Sequence, residues 1–284
     1  MEEHWGGAPE LPGSTCLEEL VAVSGGVSLR VLTWTPTDEV AKTLDPVVFV
    51  PGWGSVFEGW KPLMAAWVAQ RPVVYIESRE KASAVFESRR SSTKDFTVEK
   101  FTQDLIDVIK FYNLGPNVDF FSSSLGSTVL IDAMQRDLIE ARSSIFVAPN
   151  QAFKMPFAQR MLLRMPLPNF TLSWMVKFAV WTIERKVKED GQRVRYRRTL
   201  LAQNAERMRS SARSLTHFSL PQDLSNIKVP CAVISAESDK LHGLDDVKSI
   251  VKRIPGATMI EVPSNQYAHE AGLLVEIEVF YSSL

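Results

Sequence analysis

The chain has 284 residues, of which 45% are hydrophobic and 23% are charged, which is ordinary for a globular protein. Its formal net charge of −1 gives no indication of a nucleic-acid or acidic partner for the protein as a whole. The only two cysteines, Cys16 and Cys231, are too few for a disulfide framework. The sequence has no signal-peptide pattern, and no apolar run reaches the length of about 18 residues that indicates a membrane span. We therefore expect a cytoplasmic protein.

The first predicted element is a β-hairpin. Residues 1–14 are rich in Gly and Pro and are expected to be loose. Two strand-like runs follow, Leu17–Ala22 and Val27–Trp34, and the Ser-Gly-Gly sequence between them is typical of a hairpin turn.

Strands and helices then alternate along the chain. The strand-like runs are Val47–Val50, Val73–Ile76, Asn117–Phe121, Ser144–Ala148, Cys231–Ser235 and Thr258–Val262. The predicted helices are Thr97–Leu114, Leu125–Leu138, Leu244–Arg253 and Glu270–Phe280. Because such alternation implies a parallel sheet covered on both faces, the predicted fold class is α/β, with a mostly parallel central sheet flanked by helices.

The alternation stops between about residues 151 and 214. This block has no strand candidate and carries the apolar segment Phe170–Ile183, followed by a basic tract from Glu184 to Arg213 with ten Lys or Arg against four acidic residues. We predict a helical cap over 151–214, inserted into a core formed by 1–150 and 215–284. A basic tract is more often a solvated surface than a binding patch, although it could attract anionic lipids or acidic substrates.

A serine-rich turn supplies the candidate nucleophile. In Phe120–Gly126, a predicted strand leads into Ser124 and a predicted helix follows it, with Ser122 and Gly126 as small neighbours two positions away. A nucleophilic serine on a sharp strand-to-helix turn needs small residues there, because strand and helix nearly touch. The motif is Ser-x-Ser-x-Gly, so a serine replaces the usual first glycine, and a serine-rich turn without chemistry is the alternative.

A base and an acid follow in the expected chain order. The sequence has four histidines, His4, His217, His242 and His269. His269 follows the last predicted strand, and Asp239 follows the preceding one; loops at the carboxyl ends of parallel strands are where α/β folds build active sites. Glu237 lies closer to its strand and is the weaker candidate acid. The predicted triad is Ser124, Asp239 and His269.

These residues resemble the α/β-hydrolase superfamily, and the resemblance covers the chain apart from its first dozen residues. Pro51–Gly54 is similar to the His-Gly loop of that family, with Pro51 in place of the histidine. The resemblance implies an oxyanion hole formed by the backbone N–H groups of Trp53 and Leu125. Glu77–Ser83 resembles a loop that carries an acid, an arginine and a serine at matching positions, and we interpret it as structural support.

The predicted function is a serine hydrolase that cleaves an apolar carboxylic ester or lactone, of esterase, lipase or lactonase type, without metal or cofactor. In the cap, Trp174, Met175 and Phe178 are candidate substrate-binding residues together with Trp53. Much of that apolar stripe could instead pack the cap onto the core, or form a homodimer or a weak membrane-surface contact. Further alternatives are a carbon–carbon bond hydrolase, a perhydrolase, or a non-catalytic homologue that binds an apolar ligand or a partner protein.

Overall fold

The structure is a computed structural model that describes residues 7–87, 90–153, 155, 161, 169–186, 197–236 and 244–284. The described strands are β1 (Ser14–Val23), β2 (Val27–Pro36), β3 (Val47–Val50), β4 (Val73–Ile76), β5 (Val85–Phe86), β6 (Asp119–Ser123), β7 (Ser143–Val147), β8 (Cys231–Ala236) and β9 (Thr258–Val262). The described helices are α1 (Lys61–Trp67), α2 (Val98–Phe111), α3 (Leu125–Gln135), α4 (Asn169–Lys186), α5 (Ala205–Leu215), α6 (Leu244–Arg253) and α7 (Leu273–Tyr281). Residues 197–201 form a further short helical segment.

The described strands form one sheet in the order β1-β2-β4-β3-β6-β7-β8-β9, and β5 pairs with β2. The pairings of β2 with β1, β4 and β5 are antiparallel, and every pairing from β4 through β3 to β9 is parallel. The predicted mostly parallel α/β sheet is therefore confirmed. Because the parallel strands all run the same way, the carboxyl ends of β3, β6, β7, β8 and β9 lie along one edge of the sheet.

Both faces of the sheet are covered by helices. Neighbouring residues of β6 point to opposite faces, so Phe120 packs in one core cluster and Phe121 in the other. The Phe120 cluster includes side chains of α2, α3 and α6, and the Phe121 cluster includes side chains of α1 and α7. This two-sided burial explains why β3 and β4 are continuous apolar runs in the sequence.

Two features differ from the sequence prediction. The N-terminal segment is not loose over the described residues 7–13, because Leu11 is buried and the indole Nε1 of Trp34 donates to the carbonyl of Pro9 at 3.1 Å. Helix α1 has no counterpart in the prediction, since its seven residues, with Pro62 in the first turn, are too short to show a helical period.

The block 151–214 contributes α4, α5 and the 197–201 segment among its described residues. Helix α5 packs beside the 3₁₀ turn Thr93–Phe96 of the core, and an isolated β-bridge joins Lys81 to Gln203. The division into core and cap at residues 151 and 214 stays a prediction.

Candidate active site

Ser124 lies at the junction of β6 and α3 with a strained backbone. Its φ is +49° and its ψ is −111°, a conformation that costs a non-glycine residue about 1–3 kcal/mol. The backbone N–H of Ser124 donates to Val147 O at 2.8 Å, and its carbonyl accepts from Thr128 N at 3.0 Å. These bonds tie the turn to the neighbouring strand and to the first turn of the helix, so the fold compensates for the strain.

Small residues around this turn are required by close contacts. A Cβ atom on Gly126 would lie 2.8 Å from Pro51 O and closer still to Val50 O, and one on Gly52 would lie 3.1 Å from the Cβ of Ser124. Ser122 is tolerated because its hydroxyl is buried and bonded, donating to Ile145 O at 3.1 Å. The serine at the first motif position therefore fits the same tight turn.

A second strained residue lies next to this serine. Among the described residues, the non-glycine residues with positive φ are Asn113, Ser124, Asp137 and Ala148. Asn113 and Asp137 follow helices, and Asn and Asp tolerate this conformation. Ser124 and Ala148 do not belong to those tolerant types, and both lie at the carboxyl edge of the sheet, where strained residues often mark functional sites.

Ala148 leads into Asn150, whose side chain contacts the candidate nucleophile. The amide Nδ2 of Asn150 donates to Ser124 Oγ at 3.0 Å. The backbone of Asn150 is clamped by Thr128, whose Oγ1 accepts from Asn150 N at 3.1 Å and donates to Asn150 O at 3.0 Å. The donor to Ser124 is thus held by the strained turn on one side and by α3 on the other.

Two unused backbone donors flank Ser124. Within the described part of the chain, the N–H groups of Trp53 and Leu125 donate to no carbonyl or side chain. Leu125 is the first residue of α3, and Trp53 belongs to the loop after β3, which approaches Ser124 at Gly52. Backbone N–H groups beside a nucleophile, at a helix N-terminus, can stabilise a developing oxyanion.

The loop that carries Trp53 is held from two directions. From the core, Glu80 Oε1 accepts from Gly54 N at 3.1 Å. From the block 151–214, Gln203 Nε2 donates to Gly54 O at 2.7 Å, and the Trp53 indole Nε1 donates to Ser211 Oγ at 2.9 Å. The position of the Trp53 backbone therefore depends on α5 as well as on the core.

Glu80 belongs to the loop Glu77–Ser83, which is built on buried charge. The guanidinium of Arg79 is paired with Asp104 of α2, and Glu77 accepts from Ser83 Oγ. Burial raises the pKa of Asp104 from 3.8 to about 6, although the Arg79 charge opposes that shift. These contacts agree with the interpretation of this loop as structural support.

His269 lies in the 3₁₀ turn Tyr267–His269 that follows β9. Its Nδ1 is 2.8 Å from Asn265 O; because a carbonyl only accepts, Nδ1 carries the proton of the neutral ring and Nε2 is left as the basic atom. The ring stacks on Trp60 with centroids 4.0 Å apart, and Trp60 also meets Phe121 of β6 edge-to-face at 5.9 Å. Trp60 thus packs against both His269 and the strand that leads into Ser124.

The remaining predicted site residues have mixed outcomes. Asp239, Glu237 and His242 lie outside the described residues, and His217 is exposed after α5. Trp174 and Phe178 are exposed on α4, and the side chain of Met175 lies outside the described part. The substrate-binding role of these three residues stays a prediction.

Sequence reasoning missed Asn150, Asn265, Trp60 and Ser211 as neighbours of the site. Asn150 had a usable signal, since it is a polar residue shortly after a buried strand that ends at the same sheet edge as β6. Asn265 contributes its backbone carbonyl, and because every residue has one, its role cannot be predicted from the residue type. Trp60, directly before α1, and Ser211 of α5 reach the site through tertiary packing.

The described residues contain neither a metal-ligand cluster nor a membrane-spanning helix. No cluster of three or more His, Cys, Asp or Glu side chains is arranged to hold a metal ion in that part of the chain. Over the same residues, no helix combines the length and the apolar composition needed to cross a membrane.

Comparison with solved structures finds close similarity of fold at low sequence identity. An esterase from Exiguobacterium antarcticum has a TM-score of 0.73 and 12% identity, covering 94% of this chain and 100% of the other. A hydrolase from Pseudomonas aeruginosa PA01 has a TM-score of 0.71 and 16% identity, covering 94% and 97%. An enol-lactonase from Burkholderia xenovorans LB400 has a TM-score of 0.68 and 16% identity, covering 93% and 97%. No protein-family model and no curated protein matches the sequence.

Proposed function

We propose that this chain, which has the α/β-hydrolase fold, is a serine hydrolase that cleaves a carboxylic ester or lactone. The observation that carries the proposal is the strained Ser124, held at φ +49° on the strand-to-helix turn with the Asn150 amide 3.0 Å from its hydroxyl oxygen. Backbone strain at non-glycine residues is concentrated at active sites and ligand clamps. The solved structures with this fold include proteins named as an esterase and an enol-lactonase.

In the proposed reaction, Nε2 of His269 takes the proton of Ser124 as Oγ forms a bond to the substrate carbonyl carbon. The carbonyl electron pair moves to oxygen, and the N–H groups of Trp53 and Leu125 stabilise that oxyanion, each by about 3 kcal/mol. The oxyanion then collapses, the bond to the alcohol oxygen breaks, and the leaving oxygen takes the proton from Nε2. Water next loses a proton to Nε2, attacks the acyl carbon and releases the acid, and Ser124 regains its proton.

Asn150 is proposed as a positioning residue for this attack. Its Nδ2 donates to a lone pair of Ser124 Oγ, and an oxygen that accepts in this way can still donate its own proton toward a base. Because the Asn150 backbone is fixed by Thr128, the rotamer of Ser124 is selected before substrate arrives. Such preorganisation lowers the entropy cost of reaching the reactive geometry.

The first experiment compares the wild type with Ser124→Ala on short and long p-nitrophenyl esters and on lactones. We expect hydrolysis by the wild type and loss of it in the variant. Ser123→Ala is the matched control, since Ser123 is the buried neighbour on the strand side of the turn and does not occupy the strained position. Unchanged hydrolysis in Ser124→Ala would refute the assignment.

A fluorophosphonate probe separates the enzyme from a non-catalytic homologue that only binds an apolar ligand. An activated serine is labelled by such a probe, whereas a binding pocket has no need of one. We expect labelling of the wild type at Ser124 and none in His269→Ala. A wild-type protein that stays unlabelled would favour the binding protein.

Asp239 remains the proposed acid, and the Asn265 carbonyl offers a second partner for the same ring proton of His269. Replacement of the triad acid by its amide lowers kcat by about 10⁴ where a carboxylate stabilises the imidazolium. We expect a loss of this size in Asp239→Asn and a small change in Glu237→Gln. A small change in Asp239→Asn with a large one in Glu237→Gln would transfer the role to Glu237.

A further inference from the structure

Helix α4 exposes a row of aromatic side chains. Trp174, Phe178 and Trp181 are 69%, 54% and 46% exposed. Their spacing of four and three residues puts them on one helix face. The rings stack in sequence, with centroids 6.2 Å apart for Trp174 and Phe178 and 5.5 Å apart for Phe178 and Trp181. The row is therefore a continuous apolar ridge.

Exposed aromatic side chains are rare in the rest of the described chain. Trp34, Trp60 and Trp67 are fully buried, and Trp53 is partly buried against the core. Both exposed tryptophans of the described residues lie on α4, and Phe111 is the other exposed aromatic residue in that part. Single exposed apolar residues are ordinary, whereas contiguous ones indicate an interaction surface. We therefore expect a binding partner to cover the ridge.

Cations flank the ridge and indicate the charge of that occupant. Lys177 is exposed within the row, and the guanidinium of Arg185 lies 4.0 Å from the Trp181 ring centroid. Arg197, exposed in the following helical segment, approaches Glu184 at 3.5 Å. The tract from Glu184 to Arg213, part of which lies outside the described residues, carries ten basic residues against four acidic ones, so the sequence that follows the ridge has a clear excess of positive charge.

We propose that α4 docks on an anionic lipid membrane, with Trp174, Phe178 and Trp181 at the headgroup boundary and the neighbouring cations on lipid phosphates. Trp beside Lys and Arg is the composition of helices that lie in the membrane interface, and basic residues there gain from anionic lipid. A second copy of this chain fits less well, because its net charge of −1 offers little to the exposed Lys177 and Arg185 beside the ridge. The proposal does not depend on the hydrolase assignment.

The test is co-sedimentation of the full chain with vesicles, carried out on the wild type and on Ser124→Ala. One vesicle preparation is phosphatidylcholine alone, and the other is phosphatidylcholine mixed with phosphatidylglycerol. We expect partitioning onto the anionic vesicles only, equal for both proteins. Raising the ionic strength from about 0.1 M to about 1 M shortens the Debye length from about 10 Å to about 3 Å, so we expect that binding to fall by at least about tenfold.

Three variants locate the surface. Trp174→Ser/Phe178→Ser/Trp181→Ser should lose binding by at least about tenfold, as removal of three interfacial aromatic rings predicts, and Lys177→Gln/Arg185→Gln should weaken it on anionic vesicles. Phe111→Ser/Leu138→Ser is the matched control, since both are exposed apolar residues away from α4, and it should bind as the wild type does. Circular dichroism checks that each variant is folded.

Several results would overturn the proposal. They are no binding by the wild type, equal binding to both vesicle types, and an equal loss in the control variant. Concentration-dependent dimerisation that the aromatic variant abolishes would assign the ridge to a second copy. A raised KM for a soluble p-nitrophenyl ester, with wild-type vesicle binding in the aromatic variant, would assign it to the substrate pocket.

Discussion

At the scale of single residues, backbone strain marks the site more sharply than side-chain chemistry does. Serine is common in turns, and Ser122, Ser123 and Ser124 follow one another. Only Ser124 of the three combines a positive φ with a hydrogen bond from a clamped amide. The sequence could single out Ser124 through motif symmetry, but the strain at Ala148 and the orientation of Asn150 depend on bonds to β8 and α3, which residue types do not specify.

Gly126→Ala tests the close approach at this turn. The added Cβ would meet the Val50 and Pro51 carbonyl oxygens, and such overpacking costs about 1–3 kcal/mol or more. We expect a lower urea midpoint together with reduced hydrolysis. Gly115→Ala is the control, because a Cβ there meets nothing within 4 Å; equal urea midpoints for the two variants would contradict the packing argument.

Asn150 can be tested with two substitutions that separate shape from hydrogen bonding. Asn150→Ala and the similarly shaped Asn150→Asp both remove the amide donor to Ser124 Oγ, whose net contribution is about 0.5–1.5 kcal/mol. We expect kcat to fall by about two- to tenfold in Asn150→Ala and further in Asn150→Asp, where a carboxylate would face the developing negative charge. Wild-type kcat in Asn150→Asp would show that shape alone matters, and the exposed Asn226→Ala is the control.

At the scale of elements, the buried strands were the easiest to predict. Four consecutive apolar residues between turn signals are typical of a buried strand in an α/β chain, and β3 and β4 have the predicted bounds. The partly exposed β9 also has its predicted bounds. β6 was predicted two residues early and ends at Ser123, directly before the nucleophile. The contacts of α5 could not be predicted from the sequence, since Ser211 and its partner Trp53 are separated by 158 positions.

Helix α5 should influence catalysis through the loop after β3. Ser211→Ala leaves the Trp53 indole without its described acceptor, which should let the Trp53 backbone shift. A small displacement of an oxyanion donor lowers the rate, because stabilisation of the oxyanion depends on the distance and direction of the N–H group. We expect kcat to fall by about tenfold with little change in KM. Ser214→Ala, on the same helix, serves as the control; a change in KM alone would contradict the proposed coupling.

At the scale of the whole molecule, the buried Asp104 predicts how stability depends on pH. Its folded pKa of about 6 lies above the ordinary 3.8, so between these values the folded state holds a proton that the unfolded state has lost. The contribution of Asp104 is therefore greatest below about pH 4 and is lost as the pH rises through about 6, by on the order of 3 kcal/mol.

Urea unfolding across this pH range checks the prediction. Asp104→Asn should flatten the pH dependence of the free energy of unfolding, although it also weakens the protein by breaking the pair with Arg79. Asp137→Asn, an exposed position where asparagine accepts the positive φ, should keep the wild-type slope. The same slope in Asp104→Asn would contradict the assignment.

The two cysteines lie toward opposite ends of the sheet, Cys16 on the edge strand β1 and Cys231 at the start of β8. Burial, with a smaller effect of Glu18, raises the pKa of Cys16 to about 11, and burial raises the pKa of Cys231 to about 12. Since the thiolate is the reactive form, both thiols are nearly inert in the native protein at neutral pH. The two thiols therefore report on different parts of the sheet: alkylation followed by mass spectrometry should modify the half-buried Cys16 of the edge strand first, and the buried Cys231 only when the parallel sheet opens locally.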